Sequence, residues 1–164
     1  MPPTRCFEIY LVRAALESLA AREAAVRIDV ATLAHLDAMV VAMREAAAND
    51  DHRGHVDADF AFHEAVVRAS GNRMLEEVWH TMRLATTTFV THAMITLTHR
   101  SLGEIAERHG PVIQALRDGD AAGAEAAMRQ HIQEPGDWIR DAMRLAPSTT
   151  QDGLSDRALN LDAI

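Results

Sequence analysis

The sequence predicts an all-α domain, and three observations carry that prediction. Aromatic residues make up only 4% of the 164 residues, while Ala, Leu, Met and Val are plentiful. Apolar positions recur at helical rather than alternating spacing. The β-branched runs bounded by turn residues that mark strands are scarce. A chain of this length is expected to fold as one domain with its own core.

Charge narrows the function. The chain carries 24 acidic and 16 basic residues, a net charge of −8. Nucleic-acid binding rests largely on phosphate neutralisation by Lys and Arg, so an acidic domain with scattered Arg residues is a poor DNA binder by itself. The single cysteine, Cys6, excludes an intramolecular disulfide and a thiolate zinc cluster, which fits a reducing cytoplasm. The opening residues show no signal-peptide pattern, and no apolar stretch is long enough to cross a bilayer.

The first helix is expected from about Cys6 to Val26, with Ile9, Leu11, Val12, Ala15, Leu16, Leu19 and Ala20 as its apolar stripe. Arg13 and Glu17 are four apart on it. They make either a surface salt bridge of little worth or an Arg13 turned inward toward an anion. Asp29 is placed to cap a second helix over about Val30 to Ala48, whose buried face is Leu33, Leu36, Met39, Val40 and Met43. Asn49 to His55 reads as a polar loop, with His52 and His55 solvated. The third helix runs to about Ala69. Gly71 suits a left-handed helix terminus, and Asn72 caps a fourth helix expected from about Arg73 to Ile95. In that helix the run Ala85 to Thr91 is weak in helix propensity. Its hydroxyls either bond back to the backbone or line a polar pocket.

Ser101 and Glu104 form a capping-box pattern. The segment that follows carries His109, Val112, Ile113 and Leu116 on one face, with Pro111 tolerated at a helix start. Asp118-Gly119-Asp120 breaks it, and Asp120 caps a last helix over about Ala121 to Met143. Pro135-Gly136 is expected to kink or split that helix, because Pro135 cannot bond the His131 carbonyl. The freed carbonyl is expected to tilt the His131 ring or loosen the helix.

The candidate chemistry starts at Asp59-Phe60-Ala61-Phe62-His63. Asp59 and His63, four apart, lie on one helix face a turn apart. Phe62 and Val66 beside them set the pair at the edge of the core or within it. A buried carboxylate needs a partner, and a divalent cation is one. The bland alternative is a hydrogen-bonded pair on a solvated face. His109 and His131 sit on apolar faces of later helices, where each is either a core histidine or a ligand.

Five segments together resemble the FCD domain, the C-terminal effector domain of FadR-type GntR transcription regulators, over about Phe7 to Met143. They are the first helix at Val12 to Ala21, the D-x-x-F-H of Asp59 to His63, the turn Ala69-Ser70-Gly71-Asn72, the stretch His109 to Leu116 with Gly119-Asp120, and the M-x-x-H of Met128 to His131. The resemblance implies an antiparallel bundle of six to seven helices around a central metal and ligand pocket, in a homodimer. It implies a divalent metal, zinc first and otherwise nickel or manganese, on Asp59, His63, His109 and His131. Imidazole and carboxylate donors suit such ions. It also implies a small organic acid as effector, with Arg13 facing its carboxylate and with Asn72, Thr87 and Thr91 as further pocket residues.

Residues 1–145 are thus expected to form the ligand-binding and dimerisation domain, with 146–164 a flexible tail. The family's N-terminal winged helix-turn-helix is absent from this sequence, so contact with DNA is expected only through such a domain. Two competing readings stay open. One is a metal-dependent enzyme acting on a small carboxylate or ester, although no convincing general base stands out; His92, His80 and Glu64 are nearest in sequence. Glu77-Val78-Trp79-His80 supplies one Glu-x-x-His where a di-iron bundle needs two. The other is an interaction-only bundle.

Overall fold

The computed structural model describes residues 3–82 and 100–145, with side chains over 7–82 and 100–142. Seven helices lie in these segments, and no strand occurs among the described residues. They are α1 (Pro3–Ala25), α2 (Val30–Ala48), α3 (His52–Ala69), α4 (Arg73–Thr81), α5 (Leu102–Glu107), α6 (Gly110–Arg117) and α7 (Ala121–Leu145). α1 lies along α7 and against α3, α2 packs on α3 and α5, and α6 closes against α7.

Local sequence sets most helix boundaries. Asp29 Oδ1 accepts the Thr32 N–H at 2.7 Å and starts α2. Asn72 Oδ1 accepts from Leu75 N–H at 3.1 Å and starts α4. Ser101 and Glu104 form both halves of the capping box at α5, and Asp120 Oδ1 accepts from Gly123 N–H at 2.9 Å beside α7. Gly71 and Gly119 take φ of 69° and 66°, the left-handed conformation that a side chain would strain. The core gathers Phe62, Val66, Leu36, Met43, Val112, Leu116, Met128 and Ile132, from four of the seven helices.

Four expectations need correction. The apolar stripe of α1 is its buried face only in part: Ile9 and Ala20 are buried, but Leu11 and Val12 are 47% exposed and Leu19 41%, while Arg13, Glu17 and Ser18 are buried with Ala14, Ala21 and Ala24. α1 turns inward whichever side finds polar partners on α3, and the small alanines let its backbone approach its neighbours. The segment 49–55 is not all loop. Asp51 Oδ1 accepts from Gly54 N–H at 2.9 Å, so α3 begins at His52. His55 is therefore carried inward, 2% exposed, with Nδ1 3.3 Å from the Met43 carbonyl.

The fourth helix ends at Thr81, far short of Ile95. Its last bond, from Met82 N–H to the Trp79 carbonyl, is the tight i−3 kind found at helix ends. The run that contains Thr87 and Thr91 lies outside the described residues, as does the tail 146–164. Finally, α7 passes through Pro135 without splitting. Gly136 sits against Tyr10 of α1, where an added Cβ would stand 2.9 Å from Tyr10 Cβ.

That contact yields a paired prediction. Gly136→Ala overpacks the α1–α7 seam and lowers stability by roughly 1–2 kcal/mol, despite alanine's better helix propensity. Gly103→Ala, where an added Cβ meets nothing within 4 Å, gains up to about 1 kcal/mol. Urea unfolding of the two variants against the parent chain measures both.

Candidate metal centre

Three parts of the fold bring four donors together. Asp59 and His63 come from adjacent turns of α3, His109 from the junction between α5 and α6, and His131 from α7. Pro111 in the first turn of α6 lets the chain restart directly after His109. Phe62 packs edge-on against the His109 ring, with centroids 4.6 Å apart. One ligand atom from each of Asp59, His63, His109 and His131 lies within 4.8 Å of the other three. Around a zinc ion with bonds of 2.0–2.2 Å, tetrahedral donors stand about 3.3 Å apart. The measured separations bracket that: His109 Nε2 to Asp59 Oδ1 is 3.2 Å, His63 Nε2 to His131 Nε2 3.3 Å and His63 Nε2 to Asp59 Oδ1 3.9 Å.

The outer face of each ring decides what its inner face offers. His109 Nδ1 lies 3.1 Å from the Ala106 carbonyl. A carbonyl only accepts, so the hydrogen sits on Nδ1 and Nε2 presents a lone pair to Asp59. His63 Nδ1 lies 2.5 Å from Glu17 Oε2, and the field of that carboxylate favours the hydrogen on the outer nitrogen and the lone pair inward. A carboxylate oxygen and imidazole lone pairs at such distances repel unless a proton or a cation lies between them. The donor set therefore fits a divalent ion, with Glu17 and the Ala106 carbonyl as the outer partners that ligating histidines usually have.

Glu17 is the functional residue that spacing alone did not reveal. It is 0% exposed, and it also takes the Arg13 guanidinium, with Arg13 Nε donating to Glu17 Oε1 at 2.7 Å. Arg13 thus points inward as one reading of the spacing required, but the anion it meets is the chain's own carboxylate. Burial would raise the Glu17 carboxyl; the charge of Arg13, with the His63 ring on the other side, overrules it and holds it at about 2. Burial works the same way on Asp59, where the adjoining His109 and His63 rings and the charge of Arg13 win and hold its carboxyl far below the usual range. Asp59 also keeps 26% of its side chain exposed. Burial and the neighbouring His109 and His63 push His131 well below the ordinary imidazole value, so its ring is neutral and available.

Beside the donors lies a cavity of about 50 Å³, bordered by Tyr10, Arg13, Asp59, His63, Arg108 and His131. By that measure one water needs about 10–15 Å³, so a carboxylate head fits with little to spare. Asn72 does not border this cavity. Its Oδ1 caps α4 and its Nδ2 donates to Glu23 Oε2 at 3.2 Å.

Comparison with known proteins places this geometry in a family. Residues 8–134 match the profile of the FCD domain. The chain belongs to the FCD domain family. A curated relative, the "Probable D-xylose utilization operon transcriptional repressor" of Paenarthrobacter nicotinovorans, is 33% identical over 126 residues, covering 74% of this chain and 52% of the relative. The FCD chain therefore spans about half the length of that relative. Among solved structures, E. coli McbR/YncC superposes with a TM-score of 0.72 at 18% identity, over 83% of this chain and 64% of that one. Streptococcus agalactiae GntR gives 0.67 at 23% identity, over 80% and 58%. These identities speak for the fold alone: the FCD helical bundle. The curated relative is named as a probable transcriptional repressor, and the second solved structure as a GntR protein. No described helix is long and apolar enough to cross a membrane.

The Glu17 environment sets a pH dependence. A carboxyl held at about 2 when folded, against an ordinary 4.5, binds protons more readily unfolded. Its stabilisation is complete above about pH 4.5 and fades as pH falls toward 2, by roughly 3 kcal/mol in all. Urea midpoints followed from pH 6 to pH 3 are expected to fall steeply in the parent chain and less steeply in Glu17→Gln. Equal slopes would remove Glu17 from this role.

Proposed function

We propose that this FCD domain is the metal-dependent sensing and dimerisation module of a GntR-type transcription regulator, and that its effector is a small organic acid. The observation that carries the reading is the inward set of imidazole lone pairs facing the Asp59 carboxylate, a cluster whose mutual repulsion a divalent cation relieves. Zinc suits three imidazoles and one carboxylate best, and nickel or manganese are next. An ion held there would supply positive charge and, by expanding its coordination beyond the four protein donors, would take the carboxylate of an acid.

The chain's own residues do the rest. Glu17 and the Ala106 carbonyl hold two rings in the tautomer that points Nε2 inward. Arg13, although paired with Glu17, and Arg108 bring positive charge to the cavity. An acid in that cavity touches α1, α3 and α7 at once, so it favours whichever helix arrangement closes around it. Such preference is what lets a ligand shift a population. In a full regulator the shift would alter the spacing of two DNA-binding winged helix-turn-helix heads held by an FCD dimer in the cytoplasm. The −8 charge agrees with leaving DNA contact to such a head.

Purified, metal-loaded protein is expected to hold about one ion per chain. His63→Ala and His109→Ala are expected to lose it, and Glu17→Gln to bind it about 10–100-fold more weakly. Saturating zinc is expected to raise the melting temperature by roughly 10 °C in the parent chain and not in His109→Ala. Full ion content in His63→Ala, by elemental analysis, would sink the site assignment. For the effector, calorimetry of metal-loaded protein with a panel of small mono- and dicarboxylates is expected to show binding that disappears when the metal is stripped. A flat response across the panel would reject an acid as effector.

A further inference from the structure

Pro135 lies inside α7, four residues after His131. It has no N–H, so the His131 carbonyl loses the donor that a regular helix turn would supply. Another side chain stands in for it. Arg108, the residue before His109, donates from Nη2 to the His131 carbonyl at 3.2 Å. The same guanidinium pairs through Nη1 with Glu134 and lies 4.5 Å over the ring of Trp138. One side chain from the α5–α6 junction therefore grips α7 at 131, 134 and 138, along the face that carries His131.

We propose that Arg108 is a positioning residue for the metal centre, replacing the backbone donor that Pro135 removes and so fixing the turn of α7 that carries His131 against His109. This rests on the metal reading above. Charge alone makes the opposite forecast. A guanidinium near the site repels a cation, so its removal should tighten metal binding if Arg108 acted only through the field. Positioning demands that removal weaken it.

The experiment is a double-mutant cycle on the full chain, with Arg108→Met, Pro135→Ala and the pair. Zinc affinity is read by competition with a chromophoric chelator, and the His131 ring resonances by NMR on metal-free protein. Arg108→Met is expected to weaken zinc about 10–100-fold, as loss of an outer partner does, and to move the His131 ring signals. Pro135→Ala alone is expected to stay within about 3-fold of the parent, because it restores the missing backbone N–H. In the double variant the loss shrinks to the same range, and the ring signals return toward the parent position.

An equal cost of Arg108→Met with and without Pro135 overturns the proposal, as does tighter zinc binding. If Arg108→Met fails to fold, Arg108→Lys takes its place in the same cycle, with a smaller loss expected because a lysine keeps the charge without the fork. A parent chain that binds no zinc defeats the metal reading. The ring signals then decide the role of Arg108 alone, which fails if they do not move or are not restored by Pro135→Ala.

Discussion

Glu17 carries its charge at a position closed to solvent, and the arrangement of the bundle follows from keeping that charge satisfied. Desolvating a carboxylate is costly unless cations and hydrogen bonds compensate. Here Arg13 approaches from one side, on the same helix, and His63 from the other. The carboxylate can be held only if α1 turns its polar face toward α3. That orientation explains why Leu11, Val12 and Leu19 face outward while Arg13 and Ser18 do not. It also sets the His63 ring with its free nitrogen inward. One buried charge thus links the rotation of a helix to the chemistry of a ring a helix away.

The donor cluster depends equally on how its helices are interrupted. His109 occupies a junction, not a helix interior, because Arg108 and His109 close α5 while Gly110-Pro111 opens α6. The break lets the ring's outer nitrogen reach the Ala106 carbonyl just behind it. On α7 the interruption is chemical and not geometric. Pro135 removes a donor, Gly136 admits Tyr10 at close range, and Arg108 satisfies the orphaned carbonyl. The seam between α1 and α7 can therefore be tight at the turn after His131, and that closeness leaves a cavity small enough to suit a carboxylate head.

His55 shows where local reading fails for a physical reason. A run of Asn, Asp, His, Arg and Gly has every mark of a solvated loop, yet Asp51 caps a helix and turns His55 under α2. The capping signal was present in the sequence, in competition with composition, and the cap won because an N-terminal side chain satisfies backbone donors that water would otherwise have to serve. α4 failed in the other direction. Its apolar pattern ran on toward Ile95 while the helix itself stopped at Thr81, since periodicity reports which face is apolar and not whether the backbone ladder continues.

The sequence by itself determined the helical class, nearly every cap and break, the buried faces of α2, α3 and α6, and the pairing of Asp59 with His63. These are properties of near neighbours, written in spacings of three and four residues and in the conformational limits of Gly, Pro and Asn. Its resemblance to the FCD family named His109 and His131 as their companions. Only the tertiary structure decided that Glu17 stands behind His63, that Arg13 is spent on Glu17, that Asn72 serves as a cap away from the cavity, and that Arg108 holds the carbonyl freed by Pro135. Each of those contacts joins side chains from different helices or chooses between partners on one, and the choice depends on which burial costs are met by whatever lies across the core, which no local pattern encodes.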